Sequence, residues 1–215
     1  MLYGIVGRKG QGKTLLLTWL LFKLQDQSGQ KLLANYTLYG REYDYMNEIP
    51  ENPDDFLGEL ENKICGFDEL HMWLDSRTSM SKENILITNI LSLSRHAKTH
   101  FFYTTQDMGK VDRRIRRETN YVITVRSMVR VGGVPAYLHY QITDMNTFKT
   151  TSGIADVRNV LFAYDTHEIL RMPRTGRGGF KHDNKNKADR GRDEKADRGK
   201  QEKLELDSEI QEEEE

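Results

Sequence analysis

The chain has 215 residues, with 32 basic and 33 acidic side chains and a formal net charge of −1. This length suffices for one domain with a buried core plus an additional segment. The single cysteine, Cys65, excludes an internal disulfide bond and fits a reducing compartment, so we expect a soluble intracellular protein. No apolar stretch approaches the ~20 residues of a membrane helix and glycines interrupt the apolar N-terminus, so we expect neither a membrane span nor a signal peptide.

The first elements are a strand, a glycine-rich loop and a helix. The apolar residues 2–6 (LYGIV) predict a short strand, and residues 13–27 predict a largely buried helix that ends at Gly29. Residues 31–36 predict a second strand, whereas the polar, tyrosine-rich residues after it fit no element well. The proline and two aspartates in NPDDFLGELEN, residues 52–62, are typical of a helix start.

Strands and helices also alternate through the rest of the domain. The predicted elements are a buried strand at 63–70, a helix at 82–98, a strand at 100–105, a short basic helix at 110–118, an antiparallel hairpin of 120–131 with 136–145, and a final strand at 159–164. The hairpin turns through Gly132, Gly133 and Pro135. This alternation predicts an α/β three-layer sandwich, a mainly parallel sheet with helices on both faces and an antiparallel edge hairpin.

A phosphate-binding loop lies between the first strand and the first helix. Residues 7–14, GRKGQGKT, match the P-loop pattern G-x-x-x-x-G-K-T without a mismatch. Glycines let backbone N–H groups turn around a β-phosphate, and the helix N-terminus adds its dipole. We predict that Lys13 reaches the β- and γ-phosphates of ATP and that the Thr14 hydroxyl ligates Mg²⁺. The predicted nucleotide-binding residues are Gly7, Arg8, Lys9, Gly10, Gln11, Gly12, Lys13, Thr14 and Leu15.

The strand at 63–70 ends in two carboxylates, Asp68 and Glu69. We expect this strand to neighbour the first strand, so that Asp68 holds Mg²⁺ through water and Glu69 polarises an attacking water. A second acid after the Mg²⁺ acid favours hydrolysis over transfer to a substrate hydroxyl. The alternative is an ordinary pair of surface acids.

Gln106 follows the strand FFYTT at its carboxyl end, where ligands bind in open α/β sheets. Its amide could contact both a γ-phosphate and the attacking water, and so act as a sensor of the nucleotide state. The alternative is a loop glutamine that bonds to backbone.

The order of these motifs resembles the FtsK–HerA superfamily of P-loop ATPases. The shared marks are the P-loop, FDEL at 67–70, a helix that ends in SRH at 94–96, and a strand that ends in TTQ at 104–106. Within the superfamily the arrangement is most similar to Zot-like proteins of filamentous phages and to genome-packaging ATPases of tailless viruses, and FAYDT at 162–166 resembles a stretch near the end of the Zot-like domain.

This resemblance implies a ring, usually a hexamer, in which an arginine of one subunit completes the site of its neighbour. Residues 113–117 are rich in arginine, whose fixed fork of donors suits a γ-phosphate. The candidate trans fingers are Arg113, Arg114, Arg116 and Arg117, with Arg95 as a further nucleotide or neighbour contact. The alternatives are a solvated basic helix face and a contact with nucleic-acid phosphates.

Other residue types suggest less specific roles. No Cys/His spacing supports a metal site at His71, His96 or His100, so Mg²⁺ with the nucleotide is the only metal expected. Trp19 and Trp73 are interpreted as core or subunit-interface residues.

The C-terminal segment differs from the domain in composition. Residues 171–203 hold 12 basic and 6 acidic residues, and residues 204–215 hold 7 acidic residues and no basic one. We therefore predict an ATPase domain at 1–170 and a disordered charged tail at 171–215. The tail is either a loose, salt-dependent DNA contact or a solubilising extension.

The leading functional hypothesis is an ATP-hydrolysing translocase that packages viral double-stranded DNA. Zot-like proteins usually continue into a membrane helix, whereas this chain continues into a charged tail, so the resemblance favours a soluble packaging motor in the host cytoplasm or at a capsid vertex. Two alternatives stay open: a Zot-like phage assembly or export ATPase with a membrane partner, and a small-molecule P-loop kinase, because an arginine-rich segment also resembles a kinase lid.

Overall fold

A single eight-stranded sheet organises the part of the chain that the computed structural model describes, which is residues 1–46, Gly58, 60–72, 99–166 and Glu168. The strands are β1 (Leu2–Val6), β2 (Lys31–Ala34), β3 (Tyr43–Tyr45), β4 (Lys63–Phe67), β5 (His100–Thr105), β6 (Tyr121–Val131), β7 (Val134–Asp144) and β8 (Thr150–Asp156). Two α-helices lie wholly within these residues, α1 (Lys13–Ser28) and α2 (Arg113–Glu118), and Gly58 and Leu60 are also helical. The 3₁₀ helices are Leu70–Met72, Met108–Lys110 and Arg158–Val160.

The strand order is β3-β2-β4-β5-β1-β6-β7-β8. All pairs from β3 to β6 are parallel, whereas β6 with β7 and β7 with β8 are antiparallel. The predicted mainly parallel sheet with an antiparallel edge hairpin is therefore confirmed. One expectation is wrong: β4 does not neighbour β1, because β5 pairs with both and lies between them.

Both faces of the sheet are covered by apolar side chains. Alternate residues of β5 enter different clusters, since Phe102 packs with Leu16 and Leu21 of α1, while Phe101 and Tyr103 face the other side. That other side also receives Ile115 of α2. With a helix on each face, the described residues form the expected three layers.

The helix α1 begins directly after the glycine loop and ends as predicted. Its leucines at positions 15, 16, 17 and 21 are buried, and the Gly29 N–H donates to the carbonyl of Gln25 at 2.8 Å. A left-handed Gly29 (φ 69°) is the usual way to close a helix C-terminus. The buried leucines hold α1 across β4, β5 and β1 and so fix the direction of its first turn.

The predicted strand at 159–164 is wrong. Residues Arg158–Val160 form a 3₁₀ helix, and only Tyr164 makes a bridge, to Leu38. The buried residues Val157, Val160 and Ala163 recur every third position, which is the period of a 3₁₀ turn rather than of a strand. They pack on the α1 side of the sheet.

Two strands were not predicted from the sequence. In β8 the large apolar residue Ile154 is 61% exposed and the small residue Ala155 is buried, so the hydrophobic pattern is inverted. Gly153 lies opposite Tyr140, whose ring would be 2.5 Å from a β-carbon at that position. The short β3 adds to β2 within the tyrosine-rich segment that had no assignment.

Several predictions fall on residues that are not described. They are the helix at 82–98, most of the segment at 52–62, the side chains of Trp73, Arg95 and His96, and the tail at 171–215. The domain boundary near residue 170 stays a prediction. Within the described ranges, no helix combines the length and hydrophobicity needed to cross a bilayer.

Candidate functional site

The strand register brings the predicted site residues to one edge of the sheet. Val6 pairs with Thr105, and Phe67 pairs with Tyr103, so β1, β4 and β5 end at nearly the same level. Because these strands are parallel, the glycine loop, the two carboxylates and Gln106 all follow carboxyl ends. We call this the carboxyl edge, defined by residues 7–14, 68–69 and 104–106.

The glycine loop is closed by its own hydrogen bonds. The Gln11 N–H donates to the Arg8 carbonyl at 3.3 Å, and the Arg8 N–H donates to Gln11 Oε1 at 2.5 Å. Gly10 and Gly12 adopt left-handed backbone angles, with φ of 77° and 85°. Glycine adopts such angles at little steric cost, which explains why both positions are glycine.

The hairpin forms a wall beside the loop. Strand β6 continues past Thr124, which pairs with Val6, so its second half stands next to residues 7–12. A β-carbon on Gly12 would lie 2.8 Å from Cε of Met128 and 3.1 Å from Cδ2 of Leu138. The backbone angle therefore favours glycine here, and a side chain at this position would also have to displace the ends of Met128 and Leu138.

Lys13 is buried at the first position of α1. Its side chain is 6% exposed, and its Nζ lies 3.4 Å from the Arg8 carbonyl oxygen and 3.6 Å from Glu69 Oε1. Both contacts are long, so the ammonium group is held by weak partners. An anion with stronger acceptors, such as a phosphate, would replace them at the helix N-terminus.

Asp68 is buried among hydroxyl groups. Thr14 Oγ1 donates to its Oδ1 and Oδ2 at 3.1 and 3.0 Å, and Thr104 Oγ1 donates to Oδ1 at 2.6 Å. Burial raises the pKa of Asp68, with the Glu69 charge adding to the increase and the two hydroxyl bonds opposing it. The carboxylate is therefore placed where a cation would stabilise its charge.

Asn35 fixes the backbone of Asp68. The Asp68 N–H donates to Asn35 Oδ1 at 2.7 Å, and Asn35 Nδ2 donates to the Asp68 carbonyl at 3.0 Å. Both groups are buried. This reciprocal pair extends the β2–β4 pairing by one residue and sets the direction of the Asp68 side chain.

The donor set at Thr14 and Asp68 fits a magnesium ion. A threonine hydroxyl and a carboxylate are hard oxygen ligands, which Mg²⁺ prefers, and here they are in direct contact. Mg²⁺ sites of this kind use one or two protein oxygens and complete the shell with water and phosphate oxygens.

Glu69 has a strained backbone. Its φ is 48°, an angle that bulky residues rarely adopt, and its N–H donates to Thr104 Oγ1 at 2.8 Å. Its carboxylate oxygens contact two bases, Lys13 Nζ at 3.6 Å through Oε1 and His71 Nδ1 at 3.1 Å through Oε2. Strain of this kind is concentrated at functional sites.

Gln106 lies where the sequence predicts, directly after β5 between β1 and β4. Its side chain is exposed. The order of the strands therefore places this amide between the loop and the two carboxylates, and its role as a sensor stays a prediction.

Within the described residues, no hydrogen bond or ion pair joins the arginine cluster to the carboxyl edge. Arg113, Arg116 and Arg117 are exposed on α2, whereas Arg114 forms two 3.0 Å hydrogen bonds with the Asp112 carboxylate. That bond lowers the pKa of Asp112. After α2 the chain reaches the opposite edge of the sheet, where the Asn120 N–H donates to the Leu2 carbonyl.

The remaining candidates lie elsewhere. His100 is near Tyr3 at the start of β5, and burial lowers its pKa. Trp19 packs on the α1 core and lines a separate groove of about 650 Å³ between α1 and residues 158–163, which shares no lining residue with the carboxyl edge.

Sequence analysis missed four contributors to the site, namely Asn35, His71, Thr104 and Met128. Asn35 is a polar residue at the end of an apolar strand, and Thr104 is the first of two threonines that end β5. These were usable signals, because a buried polar residue at a carboxyl end needs a partner. His71 and Met128 carried no local signal.

A parallel sheet with a strand–glycine loop–helix unit and acids at the same edge defines the P-loop NTPase fold. The solved N-terminal domain of zonular occludens toxin from Neisseria meningitidis has this fold, with a TM-score of 0.54 and 17% identity over 76% of this chain and 98% of that chain. The genome packaging NTPase B204 from Sulfolobus turreted icosahedral virus 2, solved with ATP-gammaS, has a TM-score of 0.52 and 14% identity over 70% of this chain and 95% of that chain.

No protein-family model matches the sequence, and neither does any curated protein. The structural likenesses therefore establish the fold. The fold implied by the resemblance to Zot-like proteins and packaging ATPases is confirmed.

Proposed function

We propose that the chain is an ATP-hydrolysing nucleic-acid translocase, and most specifically an ATPase that packages viral double-stranded DNA. The observation that carries the hydrolytic part is that Lys13 contacts Glu69 and Thr14 contacts Asp68, both at the carboxyl edge. The motor part is supported by the fold shared with a viral genome packaging NTPase.

Each residue of the carboxyl edge has a chemical task in this proposal. The backbone N–H groups of the loop and Lys13 bind the β- and γ-phosphates. Thr14 and Asp68 would hold Mg²⁺, which neutralises phosphate charge when it is bound. Glu69 orients a water and takes its proton while the water oxygen bonds to the γ-phosphorus and the bond to the bridging oxygen breaks, giving ADP and phosphate.

The arginines of α2 would act in a neighbouring subunit. Three of them are exposed, and α2 leads the chain away from its own glycine loop. A ring of subunits, which we propose to be a hexamer, would supply the arginine in trans. Such an assembly is heterologous and closes by rotation. It would grip DNA in the host cytoplasm or at a capsid vertex.

A second candidate is a Zot-like assembly or export ATPase. It is favoured by the likeness to the Neisseria toxin domain. In this case the same site would hydrolyse ATP but act on a protein or membrane partner instead of gripping DNA.

The test measures ATP turnover by the purified full chain with Mg²⁺, with and without linear double-stranded DNA. We expect DNA to stimulate turnover several-fold and the Lys13→Ala variant to remain inactive in both conditions. Hydrolysis that DNA does not change would reject the translocase and favour the Zot-like candidate. Transfer of the γ-phosphate to an added nucleoside would instead identify a small-molecule kinase.

A further inference from the structure

His71 lies beside the predicted catalytic carboxylate. It occupies the middle of the 3₁₀ helix Leu70–Met72, which is closed by a 2.9 Å bond from the Met72 N–H to the Glu69 carbonyl. Leu70, at 3% exposure, anchors this helix in the core. The imidazole is therefore fixed to the same short turn that sets the direction of Glu69.

The contact joins two buried atoms that have no other partner among the described residues. His71 Nδ1 is 3.1 Å from Glu69 Oε2, and neither atom makes an aligned hydrogen bond to any residue in the described part of the chain. A buried polar atom without a bond costs about 1–3 kcal/mol, so each atom is the other's best available partner. Catalytic hydrogen bonds are often long or poorly aligned until substrate binds.

The two oxygens of Glu69 have different partners. Oε1 faces Lys13 Nζ at 3.6 Å, whereas Oε2 faces His71. When a triphosphate binds, Lys13 turns to the phosphates and leaves Oε1 open to a water. Among the described residues, the His71 contact is then the one left to keep the carboxylate from rotating about its last side-chain bonds.

We propose that His71 is a positioning residue for hydrolysis: its Nδ1–H holds Oε2 of Glu69, so that Oε1 faces the attacking water once nucleotide has taken Lys13. This inference rests on the proposed function, because it assigns Glu69 as the base. His71 itself does not contact the reacting atoms.

A pair of substitutions separates this role from simple packing. In His71→Asn the amide Nδ2 can take the place of Nδ1 and donate to Glu69, whereas His71→Leu fills similar space without a donor. We expect His71→Leu to lower kcat by about 10- to 100-fold with an unchanged KM for ATP, and His71→Asn to recover most of the loss. Equal loss in both variants, or no loss in His71→Leu, would overturn the proposal.

The controls are melting temperature, affinity for a non-hydrolysable ATP analogue, and the double variant His71→Leu with Glu69→Gln. A positioning residue adds no further loss when the carboxylate is already absent, so the double variant should equal Glu69→Gln alone. An additional loss in the double variant would contradict the role. If His71→Leu does not fold, His71→Ser against His71→Asn gives the same comparison.

The two proposals can fail separately. If Glu69→Gln hydrolyses ATP at the normal rate, the proposed function itself is wrong. Should Glu69→Gln be inactive while His71→Leu is normal, the hydrolytic assignment stands and only the role of His71 is rejected.

Discussion

The carboxyl edge and helix α2 both carry charged residues that the sequence marks as functional, but they are built differently. At the edge, Lys13 and Asp68 are buried and each contacts other residues of the predicted site. On α2, Arg113, Arg116 and Arg117 are exposed. The charged residues of the edge thus contact one another within the chain, whereas those of α2 face solvent.

This difference has a consequence for assembly. After α2 the chain leads to the amino-terminal edge beside Leu2, so we expect a hydrolytic site that needs an arginine to take it from α2 of a neighbouring chain. Arg114 is also held by Asp112. If the account is right, substitutions at the edge impair a single subunit, whereas substitutions on α2 impair its neighbour.

The largest expected effect is that of Lys13→Ala. Loss of the buried ammonium group should weaken ATP binding by about 100-fold and abolish turnover, because the phosphates lose their charged partner. Isothermal titration with ATP and a phosphate-release assay measure the two effects. The control is Lys23→Ala, which removes an exposed lysine from the same helix and should change neither.

A second expectation concerns the exposed arginines. Arg116→Ala or Arg117→Ala should reduce turnover by about 1,000-fold if that residue is the trans finger, with ATP binding unchanged. Mixing the inactive variant with Lys13→Ala subunits should restore part of the turnover, since each intact loop can then meet an intact arginine. Arg158→Ala, which removes an exposed arginine outside α2, is the control and should leave turnover unchanged. Failure of every mixture to recover would contradict a shared site.

The smallest expected effect is on stability. Burial raises the pKa of Asp68, so its carboxyl group stays protonated to a higher pH in the folded state than in the unfolded chain. Ionisation of Asp68 therefore destabilises the fold as the pH rises through the raised pKa. Metal-free Asp68→Asn should therefore melt a few degrees above the parent protein at neutral pH, and the difference should vanish below the ordinary aspartate pKa.

The control for this measurement is Asp156→Asn. Asp156 forms an exposed pair with Arg158 that lowers its pKa, so its replacement should not raise the melting temperature at neutral pH. A parent protein that melts above Asp68→Asn throughout this range would show that the hydroxyl bonds outweigh burial.

The sequence predicts elements whose signals are local. The strand–loop–helix unit at 2–28, the strand at 100–105 and the hairpin follow from periodicity and glycine placement, and the structure confirms them. Predictions from such patterns fail at β8, where Ile154 is exposed, and after Val157, where buried residues recur every third position. Hydrophobic alternation cannot report which face of an edge strand is covered.

The residues of the site also divide into those with a local sequence signal and those without one. The loop was predicted from its fixed spacing, and Asp68 and Glu69 were predicted from their position after a buried strand; their chemical roles stay predictions. Thr104 and Asn35 reach Asp68 from β5 and the end of β2, and the insertion of β5 between β1 and β4 is a property of strand order. Long-range pairing of this kind is set by tertiary packing, which one sequence does not reveal.

The most direct test of the central claim is single-turnover hydrolysis of ATP by Glu69→Gln beside the parent protein. Glutamine keeps the size of the side chain but cannot accept a proton, so the account predicts normal ATP binding and a rate at least about 100-fold lower. Hydrolysis at the parent rate would contradict the assignment of Glu69 as the base.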